Sequence, residues 1–209
     1  MRIALLAWAL ALSCSGTAAS GPAPAALPAA PPGGLRPPSA FAAIPDRAQR
    51  SRALFVEAGR VLLHPRCVNC HPAGDTPTQG DLGFAHDPPV ARGADGAGVP
   101  GLECRSCHQD RNATAARVPG APEWRLAPAA MAWRGASLPA ICAQLKDRAR
   151  NGGRTSAQLV EHAAHDPLVA WGWRPGPGRA AAPGSQGEFG ALVAAWIETG
   201  AECPTEAAQ

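Results

Sequence analysis

Apolar residues fall at helical spacing in only a few stretches of this chain, and glycine and proline break the periodicity between them. Asp46 is placed to cap a helix running to about Leu63, with Leu54, Ala58, Val61 and Leu62 on one face. Pro65 ends it. Ser137 opens a second helix through Arg150, closed by Asn151-Gly152-Gly153, and Thr155 a third through about His165, with Pro167 beyond. Ser185 and Glu188 form a capping-box pattern for a last helix, whose Phe189, Leu192, Val193 and Trp196 point one way before Gly200 stops it. Residues 72–101 and 117–135 have no period and read as loops, the second holding Trp124, Met131 and Trp133. The expected fold is mainly α, short helices and long loops with no substantial sheet.

Composition makes that expectation incomplete. Of 209 residues, 23 are Gly and 23 Pro, with four Phe, no Tyr and two Met, so the chain has few large side chains to bury. Long loops of this kind need something to organise them, such as disulfides, a metal or a cofactor. The net charge of +3 comes from scattered arginines, with Lys146 the only lysine, and leaves no nucleic-acid footprint.

The first twenty residues, MRIALLAWALALSCSGTAAS, have the form of a secretory signal peptide (1–20): Arg2, an apolar run, then small residues. The run is too short to span a bilayer. A competing reading makes Cys14 a lipid anchor. Either way the protein is expected outside the cytoplasm, in the periplasm. Residues 21–45, rich in Ala and Pro, read as an extended, disordered tether; 46–204 as one domain; and 205–209 as a disordered tail.

Cysteine supplies the missing organiser. Once Cys14 leaves with the signal, six of the seven cysteines remain. Cys142 and Cys203 are expected to form a disulfide in an oxidising compartment, the alternative being two buried thiols. The other four stand in two quintets, Cys67-Val68-Asn69-Cys70-His71 and Cys104-Arg105-Ser106-Cys107-His108. Cys-x-x-Cys-His is the attachment pattern of haem c. Cysteines three apart on a helical turn face one side and form thioethers to the two vinyl groups, and the histidine that follows gives iron its proximal nitrogen. Two haem c groups would also fill the core that the side chains lack. A zinc site of four thiolates is the main alternative, but it needs no histidine after each pair. A pair of redox disulfides is the other.

The sixth ligand decides whether each iron only carries electrons. Candidates are His64, His86, Met131, His162 and His165. His86 lies on the loop between the quintets. His64, seven residues before His71, would share its side of a continued helix and so suits the second haem better than its own. His86 with Met131 or His64 is the favoured set, with His162 and His165, three apart on a short helix, in reserve. Trp124, Trp133, Trp171 and Trp173 are expected to pack around the rings.

Residues Leu63 to Gln109 resemble in layout the small dihaem subunit of periplasmic nitrate reductase, with a histidine before the first quintet, another between the two, and an Asp-Gly turn. That resemblance implies bis-histidine ligation, with His64 and His86 as the extra ligands. A longer pattern, HPRCVNCHPAGDTPTQGD through VPGAPEWRLAPAAMAW to ARNGGR and HDPLVAWGW, is similar to small exported dihaem proteins associated with isoquinoline 1-oxidoreductase-like molybdenum hydroxylases. It implies a cytochrome that passes electrons from such an enzyme to a respiratory acceptor. Haem propionates would offset the small positive charge, so docking is expected through an apolar rim at an exposed haem edge. The alternative is a small peroxidase-like enzyme with one open iron and an acid–base group such as Glu161 beside it.

Overall fold

The computed structural model describes residues 27–205; the expected signal peptide, Cys14 and residues 206–209 lie outside that range. In chain order the elements are α1 (Arg47–Leu62), α2 (Pro65–Val68), β1 (Thr78–Gln79), β2 (Phe84–Ala85), β3 (Gly98–Val99), β4 (Leu102–Glu103), α3 (Leu138–Lys146), α4 (Ser156–His165), α5 (Pro167–Ala170) and α6 (Gln186–Glu198). The fold is mainly helical. Its only sheets among the described residues are two two-stranded antiparallel hairpins, β1–β2 and β3–β4.

The helix starts follow the capping chemistry. Asp46 accepts from the Gln49 N–H at 2.6 Å, Ser185 from Glu188 N–H, and Thr155 forms a complete capping box with Gln158. Helix α3 is shorter than expected, ending at Lys146 rather than Arg150. Asp147 is extended there, and the Asn151 side chain bonds the Leu145 and Arg154 carbonyls, so local polar bonds replace the last helical turn.

Helix α6 lies between α1 and α4 and carries the core. Phe55 of α1 packs on Trp196 of α6 with centroids 4.8 Å apart. Gly190 allows the α4–α6 approach, since a Cβ there would sit 2.5 Å from the Ala164 Cβ. The C-terminal segment returns to the same core: the Glu202 N–H donates to buried Ser51 Oγ, and Cys203 is disulfide-bonded to Cys142 of α3 with Cα atoms 5.6 Å apart. Among the described residues, no helix is long and apolar enough to cross a membrane.

Part of the expected tether belongs to the fold. Leu35 and Phe41 are fully buried, and the Arg36 N–H donates to Glu57 of α1 at 3.0 Å. A short 3-10 turn at Pro38–Phe41 delivers Phe41. Proline costs little entropy to order, so two apolar side chains and one buried hydrogen bond hold this stretch where composition suggests disorder.

Candidate functional site

The first quintet grows out of the break between α1 and α2. His64 caps α2, Pro65 takes its first position, and Cys67 follows. The Cys70 and His71 N–H groups both donate to the Cys67 carbonyl at 3.1 Å, so the quintet closes as a helical turn. His71 is fixed from two directions. Its Nδ1 lies 2.9 Å from the Met131 carbonyl, and its ring stacks on Trp133 with centroids 3.4 Å apart and planes 8° from parallel. The Trp133 and Arg134 N–H groups donate to the His71 carbonyl. A carbonyl only accepts, so Nδ1 carries the proton and Nε2 keeps its lone pair.

The second quintet repeats the arrangement on a 3-10 turn, Cys104–Ser106. The Cys107 and His108 N–H groups donate to the Cys104 carbonyl at 3.3 and 2.9 Å. His108 Nδ1 lies 2.7 Å from the Pro119 carbonyl, and its ring stacks on Trp124 at 4.5 Å and 10°. One irregular segment, 119–133, therefore supplies both histidines with a carbonyl acceptor and a tryptophan. Gly120 is needed beside the Pro119 carbonyl, because a Cβ there would meet the Arg111 and Gln109 carbonyl oxygens at 2.3 and 2.4 Å.

The surroundings differ. A cavity of about 700 Å³ opens beside the first quintet, lined by Cys67, Cys70 and His71, within the ~300–1,000 Å³ range of small-molecule sites. Its walls include Phe55, Leu62, Trp133, Trp173, Phe189 and Trp196. Arg66, Arg92, Arg125 and Arg154 also reach it. Two buried donors on residues of this wall, Arg66 Nε and Trp133 Nε1, have no acceptor among the described residues. Buried N–H groups of that kind need a partner. A flat apolar ring carrying carboxylates suits such walls, and Cys67, Cys70 and His71 are the groups that would hold it. Cys67, Cys70 and Cys104 are all half-buried, whereas Cys107 of the second quintet is exposed.

Burial also sets the protonation states. It pushes the Cys67 thiol up to about 12 and Cys70 to about 11, so both are neutral thiols. Burial lowers His71 to about 3, against the Met131 carbonyl bond that raises it, with the nearby His162 adding to the depression. His108 is lowered by burial too, again against its carbonyl bond and with His86 contributing. Both quintet histidines are therefore neutral near pH 7 and offer a free Nε2.

The two sites are joined by contact. Trp124 meets Trp171 edge-on at 5.0 Å, and the Arg66 guanidinium lies over Trp171 at 5.6 Å, one residue from Cys67. Arg66 is anchored by Asp81 at 2.6 Å and by the Gly80 carbonyl, which ties the β1–β2 hairpin to the first quintet.

The remaining candidates separate clearly. His86 lies near His108, with ring centroids 5.9 Å apart, and its Nδ1 bonds the Pro88 carbonyl at 2.8 Å. His64 is engaged as the α2 cap, where its Nδ1 accepts the Arg66 N–H at 3.2 Å. Met131 is buried, lines the cavity and gives its carbonyl to His71. His162 lines the same cavity, whereas His165 is exposed on α4, 4.0 Å from Glu161. The four quintet cysteines are not joined as disulfides. No group of three or more His, Cys, Asp or Glu side chains converges to hold a metal ion among the described residues, so the four-thiolate arrangement is not assembled.

Sequence reading missed the carbonyls of Pro119 and Met131, which no side-chain pattern announces. It also missed Asp166, four residues after His162 and thus legible as a helical pair, and the unpartnered Nε of Arg66. No family model, curated protein or solved structure matches this chain.

Proposed function

We propose that this chain is an exported dihaem c-type cytochrome that carries electrons between a substrate-oxidising enzyme and a respiratory acceptor. The carrying observation is the duplicated geometry. Each Cys-x-x-Cys-His turn ends in a neutral histidine whose Nδ1–H is held by a backbone carbonyl and whose ring is stacked on tryptophan. Holding Nδ1–H fixes tautomer and orientation and leaves Nε2 for iron, as outer-shell partners of ligating histidines do.

Bound haem would supply a one-electron iron couple at each quintet; the residues do the rest. Cys67, Cys70, Cys104 and Cys107 would be the attachment points, and His71 and His108 would each offer Nε2 to iron. His86 stands beside His108 and would be the candidate second ligand at that quintet. The walls of the first site combine apolar side chains with arginines suited to carboxylates. Trp124, Trp171 and Arg66 fill the space between the sites with packed side chains. Phe84 and Leu102 are exposed two residues from His86 and Cys104, an apolar rim suited to docking at the second site. By resemblance, the donor is a molybdenum hydroxylase.

The test is a redox titration of the purified holoprotein with optical and electron paramagnetic spectra. Two reversible one-electron steps and low-spin ferric signals from both irons are expected. A high-spin iron that binds cyanide and consumes peroxide would instead favour the peroxidase-like enzyme.

A further inference from the structure

We infer that His162, held by Asp166, is the sixth iron ligand at the first quintet, in place of His64 or Met131. The inference rests on the haem reading and assigns the residue that reading leaves open. His162 and His71 both line the same cavity beside Cys67 and Cys70. His162 Nδ1 lies 2.8 Å from Asp166 Oδ2. The carboxylate there accepts a hydrogen bond from Nδ1–H, which leaves Nε2, without a hydrogen-bond partner among the described residues, to offer its lone pair.

Asp166 is itself immobilised. Its other oxygen caps α5 by accepting the Leu168 and Val169 N–H groups at 2.8 and 3.4 Å, and its carbonyl accepts from Gln186 of α6. A fixed carboxylate behind an imidazole is the outer-shell arrangement that orients metal-ligating histidines and raises their basicity. Asp166 is thus a positioning residue.

The rivals are otherwise engaged. Nδ1 of His64 is the acceptor in the α2 cap, so in the neutral ring the proton sits on Nε2, the nitrogen a ligand would have to offer. The Met131 carbonyl lies at the Nδ1 edge of His71. Its backbone is therefore on the side of that ring away from Nε2. His165 is exposed and does not line the cavity.

The experiment uses full-length holoprotein matured in an exporting host, with haem counted first. Fewer than two covalent haems in the wild type would overturn the underlying reading itself. With two present, His162→Ala should convert one low-spin ferric signal to high-spin and let one ferrous iron bind carbon monoxide, and added imidazole should restore the low-spin state. His64→Ala and Met131→Leu should leave both irons low-spin. As a folding-independent check, His162→Met should introduce the red-edge absorption of methionine–iron ligation. Asp166→Asn should raise one midpoint potential and leave the other in place, because a less basic ligand stabilises ferric iron less. Two low-spin irons in both His162→Ala and His162→Met, without the methionine band, would overturn the assignment. So would a wild-type first site that is already high-spin, or loss of low-spin character in His64→Ala or Met131→Leu.

Discussion

The two quintets are nearly identical as local structures and very different as sites. In both, the turn closes on the first cysteine carbonyl, the histidine Nδ1 meets a backbone carbonyl, and a tryptophan lies parallel to the ring. The first faces a cavity walled by α1, α6 and Trp133. The second sits on a 3-10 turn beside a two-residue hairpin, with Cys107 exposed. The motif dictates how a histidine is presented, and the packing around it dictates what the site is exposed to. The first site opens onto an internal cavity, and the second leaves one of its two cysteines, Cys107, exposed.

That difference predicts unequal consequences of unloading each site. Replacing Cys67 and Cys70 by serine should remove one haem and leave the cavity unfilled, destabilising the helical core by several kcal/mol. Cavities cost roughly 24 cal/mol per Å³ when structure does not collapse into them, so even partial relaxation leaves a large loss. The paired change of Cys104 and Cys107 should remove one haem while the helical core keeps most of its melting temperature. Haem content and thermal unfolding, followed together, check both. Equal destabilisation by the two double variants would erase the comparison.

The disulfide belongs to the core side. Its 61-residue separation implies a loss of about 4 kcal/mol from chain entropy when Cys142 and Cys203 are both changed to alanine. Denaturant unfolding should register that loss, with the spectrum of the second site unchanged in the folded protein. Glu57 comes next. Burial alone would raise its pKa, but the Arg36 N–H and the Arg60 and Arg36 guanidinium groups outweigh burial and hold it below the usual carboxylate range. A depressed carboxylate contributes stability that is present above its unfolded pKa near 4.5 and lost as pH falls through the folded value. Glu57→Gln should cost ~2 kcal/mol at neutral pH, and the gap to wild type should close in acid. A pH-independent gap would mean that packing, not charge, is what the substitution removes.

The smallest expected effect lies at the second site. Gly120→Ala would crowd the Arg111 and Gln109 carbonyls and push the Pro119 carbonyl away from His108. One of the two midpoint potentials should rise as that imidazole loses its acceptor, with a stability change of about 1 kcal/mol. A shift in both potentials would show that the sites are not separately tuned.

Much of this comparison was open to reading from the residues. Asp46, Thr155 and Ser185 mark helix starts because capping is a local interaction between a side chain and the next turn. The quintets were legible for the same reason. The order of residues 35–41 was not, because Leu35 and Phe41 are buried by contacts distant in sequence. The shared segment 119–133 hides its part more completely: it acts through the Pro119 and Met131 carbonyls, and every residue has a carbonyl. His162 and Asp166 were readable as an i, i+4 pair, but only the fold brings them to the cavity that His71 lines.

The central claim is that both quintets hold haem covalently. Intact-mass measurement of the mature protein, purified from a host that exports and haem-loads such chains, tests it directly. The account predicts the polypeptide plus two haem masses, retained after acid-acetone extraction and lowered by one haem in each paired cysteine variant. A mature chain with the bare polypeptide mass, or with zinc in place of haem, would contradict it.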